Sequence, residues 1–210
     1  MLTVVSAGSM AQNMSADELF MKDAKRRRTR LRTEWNLFAG PSFTGYSASG
    51  GNIACDPKVG YHIGIDMGIL FGKHCGVLPE LMFSHSAVNI SGKAGGVAEV
   101  KLNSLDFPLM FEWRFLNGRI RLHAGPSFTL MNKCSYLYDD RTMNGFRMRP
   151  TVTYVAGARG FIGQRISIGV RFNGQFNRTE QIMGMESSDP DYEIYRLGMY
   201  TVSASIGYKF

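Results

Sequence analysis

From Tyr195 to Phe210 the sequence alternates apolar with small or polar residues without a break. Tyr200, Val202, Ala204, Ile206, Tyr208 and Phe210 fall on one side, and Thr201, Ser203, Ser205, Gly207 and Lys209 on the other. Successive side chains of an extended chain point to opposite faces. A period of two therefore describes a strand with one face in an apolar medium and the other in water or a polar interior.

Seven further segments carry the same period. They are Trp35 to Tyr46, Val59 to Phe71, Cys75 to Val88, Leu102 to Phe115, Arg119 to Met131, Thr151 to Ile162 and Arg165 to Gln175. In the second of these, Tyr61, Ile63, Ile65, Met67, Ile69 and Phe71 oppose His62, Gly64, Asp66 and Gly68. Each segment reaches the roughly 9 to 11 residues that a tilted membrane strand needs. The connections alternate too. Gly72-Lys73-His74, Leu116-Asn117-Gly118 and Gly163-Gln164 are tight, and Asn-Gly is the preferred centre of a type I′ hairpin turn. Ser47 to Lys58, Asn89 to Val100, Asn132 to Pro150 and Asn177 to Ile194 are long and polar.

At 210 residues, 44% apolar and 12% aromatic with 24 glycines, the composition suits one folded domain and excludes disorder and a disulfide scaffold. The longest charge-free run, Trp35 to Cys55, is broken by Gly, Ser, Asn and Pro, whereas a membrane helix needs about 20 mostly apolar residues. A spanning chain of this kind must therefore close into a barrel, which pairs every backbone group. Alternation alone does not say which face is outside, since a soluble lipocalin-like barrel encloses the apolar set. Three features favour the membrane: an export-like start, an aromatic terminus and the short/long rhythm of connections. The terminal strand resembles the last strand of bacterial outer-membrane barrels, whose apolar band is edged by aromatic girdles and whose short turns lie in the periplasm. The expected fold is all-β, an eight-stranded antiparallel up-and-down transmembrane barrel over 34–210, both termini periplasmic.

Residues 1–11 end in Ser9-Met10-Ala11, a small-x-small pattern suited to signal-peptidase cleavage, although a basic n-region is missing. Residues 12–33 form a basic leader. The net charge of +7 resides largely in Lys25 to Arg32, with six basic residues; a solvated segment or contact with anionic headgroups explains it better than nucleic acid. Ser15-Ala16-Asp17-Glu18 has a capping-box pattern, which predicts a short helix from about Ala16.

The hexapeptide Ala-Gly-Pro-Ser-Phe-Thr occurs at 39–44 and again at 124–129, as a half-barrel duplication or as two equivalent packing sites. Proline removes a ladder donor, so Pro41, Pro79, Pro108 and Pro126 are expected at bulges or strand ends.

Inward charges segregate along the chain. Asp66, Glu80, Asp106 and Glu112 come from the second to fourth segments, and Arg114, Arg119, Arg121, Arg159, Arg171 and Lys209 from the fourth onward. They are expected to face each other across the lumen as a structural plug of salt bridges, with an ion or proton path as the alternative. His62 and His123 are expected to join this network. Catalytic residues, metals and cofactors are not expected. Ser84 and His85 are adjacent and so point to opposite faces, the Gly92 to Gly96 loop lacks phosphate-loop spacing and reads as a flexible tip, and no CxxC occurs. Glu180, Glu186, Asp189, Asp191 and Glu193 offer a divalent cation a bridge to lipopolysaccharide, without calcium-loop spacing. Of three cysteines, Cys55 and Cys134 lie toward one rim and Cys75 toward the other, so only a Cys55–Cys134 bridge is geometrically allowed.

The stretches LFAGPSFTGY, GYHIGIDMGILFG, VLPELMFSHS, LNSLDFPLMFEWRF, RLHAGPSF and SASIGYKF together resemble the PorT-like outer-membrane β-barrel family over Trp35 to Phe210. The resemblance implies an eight-stranded outer-membrane barrel. It also implies outer-membrane lipids and lipopolysaccharide as surroundings and, for some members, secretion-machinery proteins of the type IX pathway as partners. A small-solute channel is the alternative function, and a soluble binding barrel a further one.

Overall fold

The computed structural model describes residues 32–49, 54–91, 97–138, 141–144, 152–176, 179–183 and 193–210. The export-like start, the leader up to residue 31 with its expected helix, and the Gly92 to Gly96 tip lie outside the described residues, while Arg32 and Thr33 of the expected leader already belong to the first strand.

Eight long strands form the wall: β1 (Arg32–Ser49), β3 (Val59–Phe71), β4 (Cys75–Ser91), β5 (Val97–Phe115), β6 (Ile120–Tyr138), β8 (Val152–Ile162), β9 (Ile166–Gln175) and β11 (Glu193–Lys209). Three short strands, β2 (Ala54–Pro57), β7 (Arg141–Asn144) and β10 (Thr179–Met183), stand on one rim and pair with β4, β6 and β11. Each long strand pairs antiparallel with the next, and β1 pairs with β11 from Asn36↔Lys209 to Ser49↔Arg196, which closes the barrel. Closure leaves the long strands without a free edge.

The partition of side chains is that of a barrel in lipid. Trp35, Leu37, Ile63, Ile65, Leu109, Phe111, Leu122, Ile168, Val170 and Ile206 are exposed, whereas Glu80, Glu112, Asp66, Arg159 and Asp106 are buried. A soluble lipocalin-like barrel would reverse this distribution. Aromatic residues edge the apolar wall at both ends. Phe71 and Phe115 flank tight turns and Phe210 follows the last strand, while Phe43, Tyr61, Tyr154 and Tyr200 lie toward the other rim. At the β5–β6 turn Asn117 has φ 59° and ψ 31° and Gly118 φ 83°, the dihedrals of a type I′ turn.

Two expectations need correction. The long connections are partly strand: β4 runs on to Ser91, β5 starts at Val97, and β6 reaches Tyr138. Nor do the prolines mark bulges or strand ends. Each lies within a strand and keeps its partner on one side only: Pro41 pairs with Tyr61, Pro79 with Leu109, Pro108 with Ser127 and Pro126 with Tyr154. On the other side the ladder skips the proline, which has no N–H to give. The one bulge of the β5–β6 pair falls beside Leu105 and Asp106.

The repeated hexapeptide builds the same joint twice. Pro41 lacks its pairing with the preceding wall strand β11, and Pro126 lacks its pairing with β5. A Cβ on the adjoining glycine would overlap the neighbouring strand's backbone carbonyl, Ala204 O beside Gly40 and Leu109 O beside Gly125.

Candidate functional site

The lumen holds the chemistry, in three tiers. Nearest the short turns, Glu34 from β1, Glu112 and Arg114 from β5, and Arg121 from β6 form a closed cluster. Arg114 and Arg121 face each other directly across the β5–β6 pair, an arrangement of like charges that is unfavourable alone. Both guanidinium groups are held by the same two carboxylates. Arg114 lies 2.9 Å from Glu34 and 2.7 Å from Glu112, and Arg121 lies 3.0 Å from Glu34 and 3.6 Å from Glu112. Arg121 also sits 4.0 Å over the Phe161 ring, and Lys209 approaches Glu34 at 3.9 Å.

In the middle tier Asp66 and Glu80 are cross-strand neighbours on β3 and β4. Each reaches across the lumen to an arginine of β8 or β9, where Gly169 and Gly157 opposite Arg159 and Arg171 leave room for the long side chains. Arg159 Nη2 donates to Asp66 Oδ2 at 2.7 Å, and Asn36 Nδ2 donates to the same oxygen at 3.0 Å. Arg171 grips Glu80 with both terminal nitrogens, at 2.5 and 2.7 Å. The Phe38 ring lies 5.7 Å from the Arg159 guanidinium and 5.2 Å from that of Arg171. Leu78, Met110 and Val155 form a small buried apolar cluster.

Toward the long-connection rim the lining turns to hydroxyls. Asp106 accepts hydrogen bonds from Ser104 at 3.1 Å and Thr129 at 2.9 Å. Ser84 and Ser104 are 2.7 Å apart, and Thr44 and Thr201 2.9 Å. Ser42, His62, Met82, Asn173 and Ser203 help line a pocket with room for about one water molecule.

Asp66, Glu80, Asp106, Glu112, Arg114, Arg121, Arg159 and Arg171 are all buried in the lumen. Asp66 and Glu80 meet Arg159 and Arg171 across it, Glu112 pairs with Arg114 on its own strand and Arg121 on the next, and Asp106 is held by the hydroxyls of Ser104 and Thr129. His62 and His123 are buried there as well. Arg119 is a correction: it belongs to the β5–β6 turn and is exposed. Glu34 is an addition. Extending the alternation of the first strand one residue before Trp35 would have found it. Ser84 and His85 diverge as expected, His85 Nδ1 lying 2.7 Å from Asn103 Oδ1. Cys55 is half-buried and Cys134 buried, and no disulfide bridge joins them. Glu180 and Glu193 fall in β10 and β11, and the other acids of that loop lie outside the described residues.

The family described as "Outer membrane protein beta-barrel domain" matches residues 10–210. The chain belongs to this family. Its place is therefore the bacterial outer membrane. Solved structures share the fold at low identity. Ail, the attachment invasion locus protein of Yersinia pestis, matches with TM-score 0.50 at 14% identity, covering 86% of this chain and 100% of that one. The outer-membrane protein OprG of Pseudomonas aeruginosa matches with TM-score 0.54 at 12% identity, covering 86% and 97%. Neisserial surface protein A matches with TM-score 0.52 at 12% identity, covering 84% and 97%. No curated protein matches the chain in sequence.

Proposed function

We propose that this protein is a structural, non-conducting barrel of the outer membrane, closed by its own ion pairs and carrying its long-connection rim on the cell surface. The observation that supports this most directly is the middle tier. Asp66–Arg159 and Glu80–Arg171 are buried pairs that cross the lumen between opposite walls, where an open pore would need water. A solute path would have to break them, and separating a buried pair leaves each charge uncompensated. The short turns and both chain ends face the periplasm in this reading, in keeping with barrels of this layout.

Conductance tests it. Protein folded into a planar bilayer should give no stable current steps at moderate voltage, whereas a sustained open state would overturn the closed-barrel reading in favour of a small-solute channel. A tie to type IX secretion is a finer reading, supported by the PorT-like stretches alone. Secretion-machinery proteins recovered with the native barrel after mild cross-linking would support it, and their absence would set it aside.

A further inference from the structure

The alternation of β6 breaks once. Leu105 pairs with Met131 but Asp106 pairs with Thr129, so Leu130 is an extra residue in the strand. Leu130 and Met131 consequently both stand on the lipid side, 57% and 68% exposed. A bulge re-aims whatever follows it. Up to Leu130 the outward residues of β6 are even-numbered and from Met131 they are odd-numbered, so Lys133 points outward and Cys134 inward. If β6 alternated regularly through Leu130, with no bulge, Lys133 would be aimed into the lumen.

The bulge lies where the wall changes character. Phe83, Leu105 and Met131 form one cross-strand row on β4, β5 and β6, and the next row toward the rim is His85, Asn103 and Lys133. Lys101 follows, between Ala87 and Ser135. His85 stacks on Tyr61 with ring centroids 5.2 Å apart, an amphipathic pair suited to the edge of the apolar band. Lys101 shares Glu99 with Lys58, whereas Lys133 makes no ion pair among the described residues. Lys101 and Lys133 are diagonal neighbours on one face, a spacing of about 7 Å. Two cations so placed repel each other, and an anion between them removes the repulsion.

We propose that this wall binds the phosphorylated headgroup of lipid A, the glycolipid of the outer leaflet. Lys101 and Lys133 hold a phosphate, and Leu130 and Met131 form a ledge for an acyl chain beneath it. The assignment rests on the reading that the long-connection rim faces outward. Charge complementarity and the apolar ledge select this ligand: free phosphate has no use for the ledge, and the phospholipid of the inner leaflet meets the opposite rim. Long lysine stems lie along apolar surface with the charge at the interface, which suits a headgroup at this height.

The test is a titration of the folded full-length protein in neutral-detergent micelles with four probes: lipid A, lipid A stripped of its phosphates, phosphatidylglycerol and inorganic phosphate. Lipid A should bind and raise the unfolding temperature. Removing the two lysine charges should weaken it about 25-fold, at about fivefold per surface lysine, and K101E/K133E, which reverses them, should weaken it more. K101Q/K133Q keeps the fold free of new repulsion and should weaken it in the same direction, with an unchanged unfolding temperature in the absence of lipid. Equal affinity of both double variants and the native chain would overturn the proposal. So would binding of phosphatidylglycerol, inorganic phosphate or dephosphorylated lipid A as tight as that of lipid A. Conductance and surface labelling read the closure and the orientation separately, so their failure is distinguishable from failure of this site.

Discussion

The side chain of Tyr200 on β11 fills the space beside Gly45 on β1, its cross-strand partner, so closely that a Cβ on the glycine would overlap the phenol carbon and hydroxyl. Tyr154 covers Gly174 in the same way across the β8–β9 pair. A missing side chain on one strand thus seats a ring from the next, and at Gly45 the seat lies on the seam that closes the barrel. Gly45→Val should therefore cost about 1 to 3 kcal/mol through overpacking, read as a lower urea midpoint in phospholipid vesicles. Combining it with Tyr200→Ala should cost less than the two single changes summed. Full additivity would mean that the ring and the glycine are not coupled.

The hexapeptide joints give a prediction by symmetry. Gly40 and Gly125 each approach a backbone carbonyl, which cannot swing aside as a side chain can. Gly40→Ala and Gly125→Ala should each lower stability by about 1 to 3 kcal/mol, and by similar amounts, since they stand at equivalent places in two strands. Gly118→Ala, in the turn where an added Cβ meets nothing, should act only through its positive φ and cost less. Unequal effects at 40 and 125 in vesicle unfolding would break the equivalence.

For the lumen, the informative comparison is one partner against two. Arg171→Met strands the Glu80 carboxylate in the middle tier, and removing one member of a buried pair typically costs about 3 to 5 kcal/mol. Glu80→Met with Arg171→Met leaves no charge behind and should regain most of that loss. Heat-modifiable migration on gels and urea midpoints both report it. A double variant as unstable as the single one would remove the argument that Glu80 and Arg171 act as a pair.

Much of the wall was legible in the sequence because its two faces meet different media. From Val59 to Phe71 a lipid-facing residue follows each lumen residue, and a shift by one would put His62 and Asp66 into hydrocarbon, so the register admits no slip. Beyond the apolar band both faces meet water and that constraint lapses. Ala54–Pro57 and Val97–Val100 therefore read as loop although they are strand. Leu130 was illegible for a related reason: an extra Leu beside Met131 leaves the composition apolar, and only pairing with β5 shows the change of parity. Arg119 was misplaced because alternation was carried through a turn that interrupts it. The pairing of Asp66 with Arg159 was beyond the sequence. Segregation of charge predicts that opposite walls attract, while the choice among four arginines depends on which register puts a glycine opposite each.

Orientation is tested through the cysteines. Cys55 lies in β2 on the long-connection rim, Cys75 opens β4 beside a tight turn at the other end, and Cys134 is buried. With the rim outward, a membrane-impermeant maleimide applied to intact cells should modify Cys55 and leave Cys75 untouched until the outer membrane is breached. The rate carries a second signature. Burial, and after it the neighbouring Asp56 carboxylate, push the Cys55 thiol above its ordinary range, and the thiolate is the reactive form. Labelling of Cys55 should therefore be slow at pH 7 and climb about tenfold per pH unit until the raised value is reached. A thiol free of both influences would level off sooner. If Cys75 reacts in intact cells and Cys55 does not, the barrel is inverted; Lys101 and Lys133 then face the inner leaflet, and lipid A is no longer within their reach.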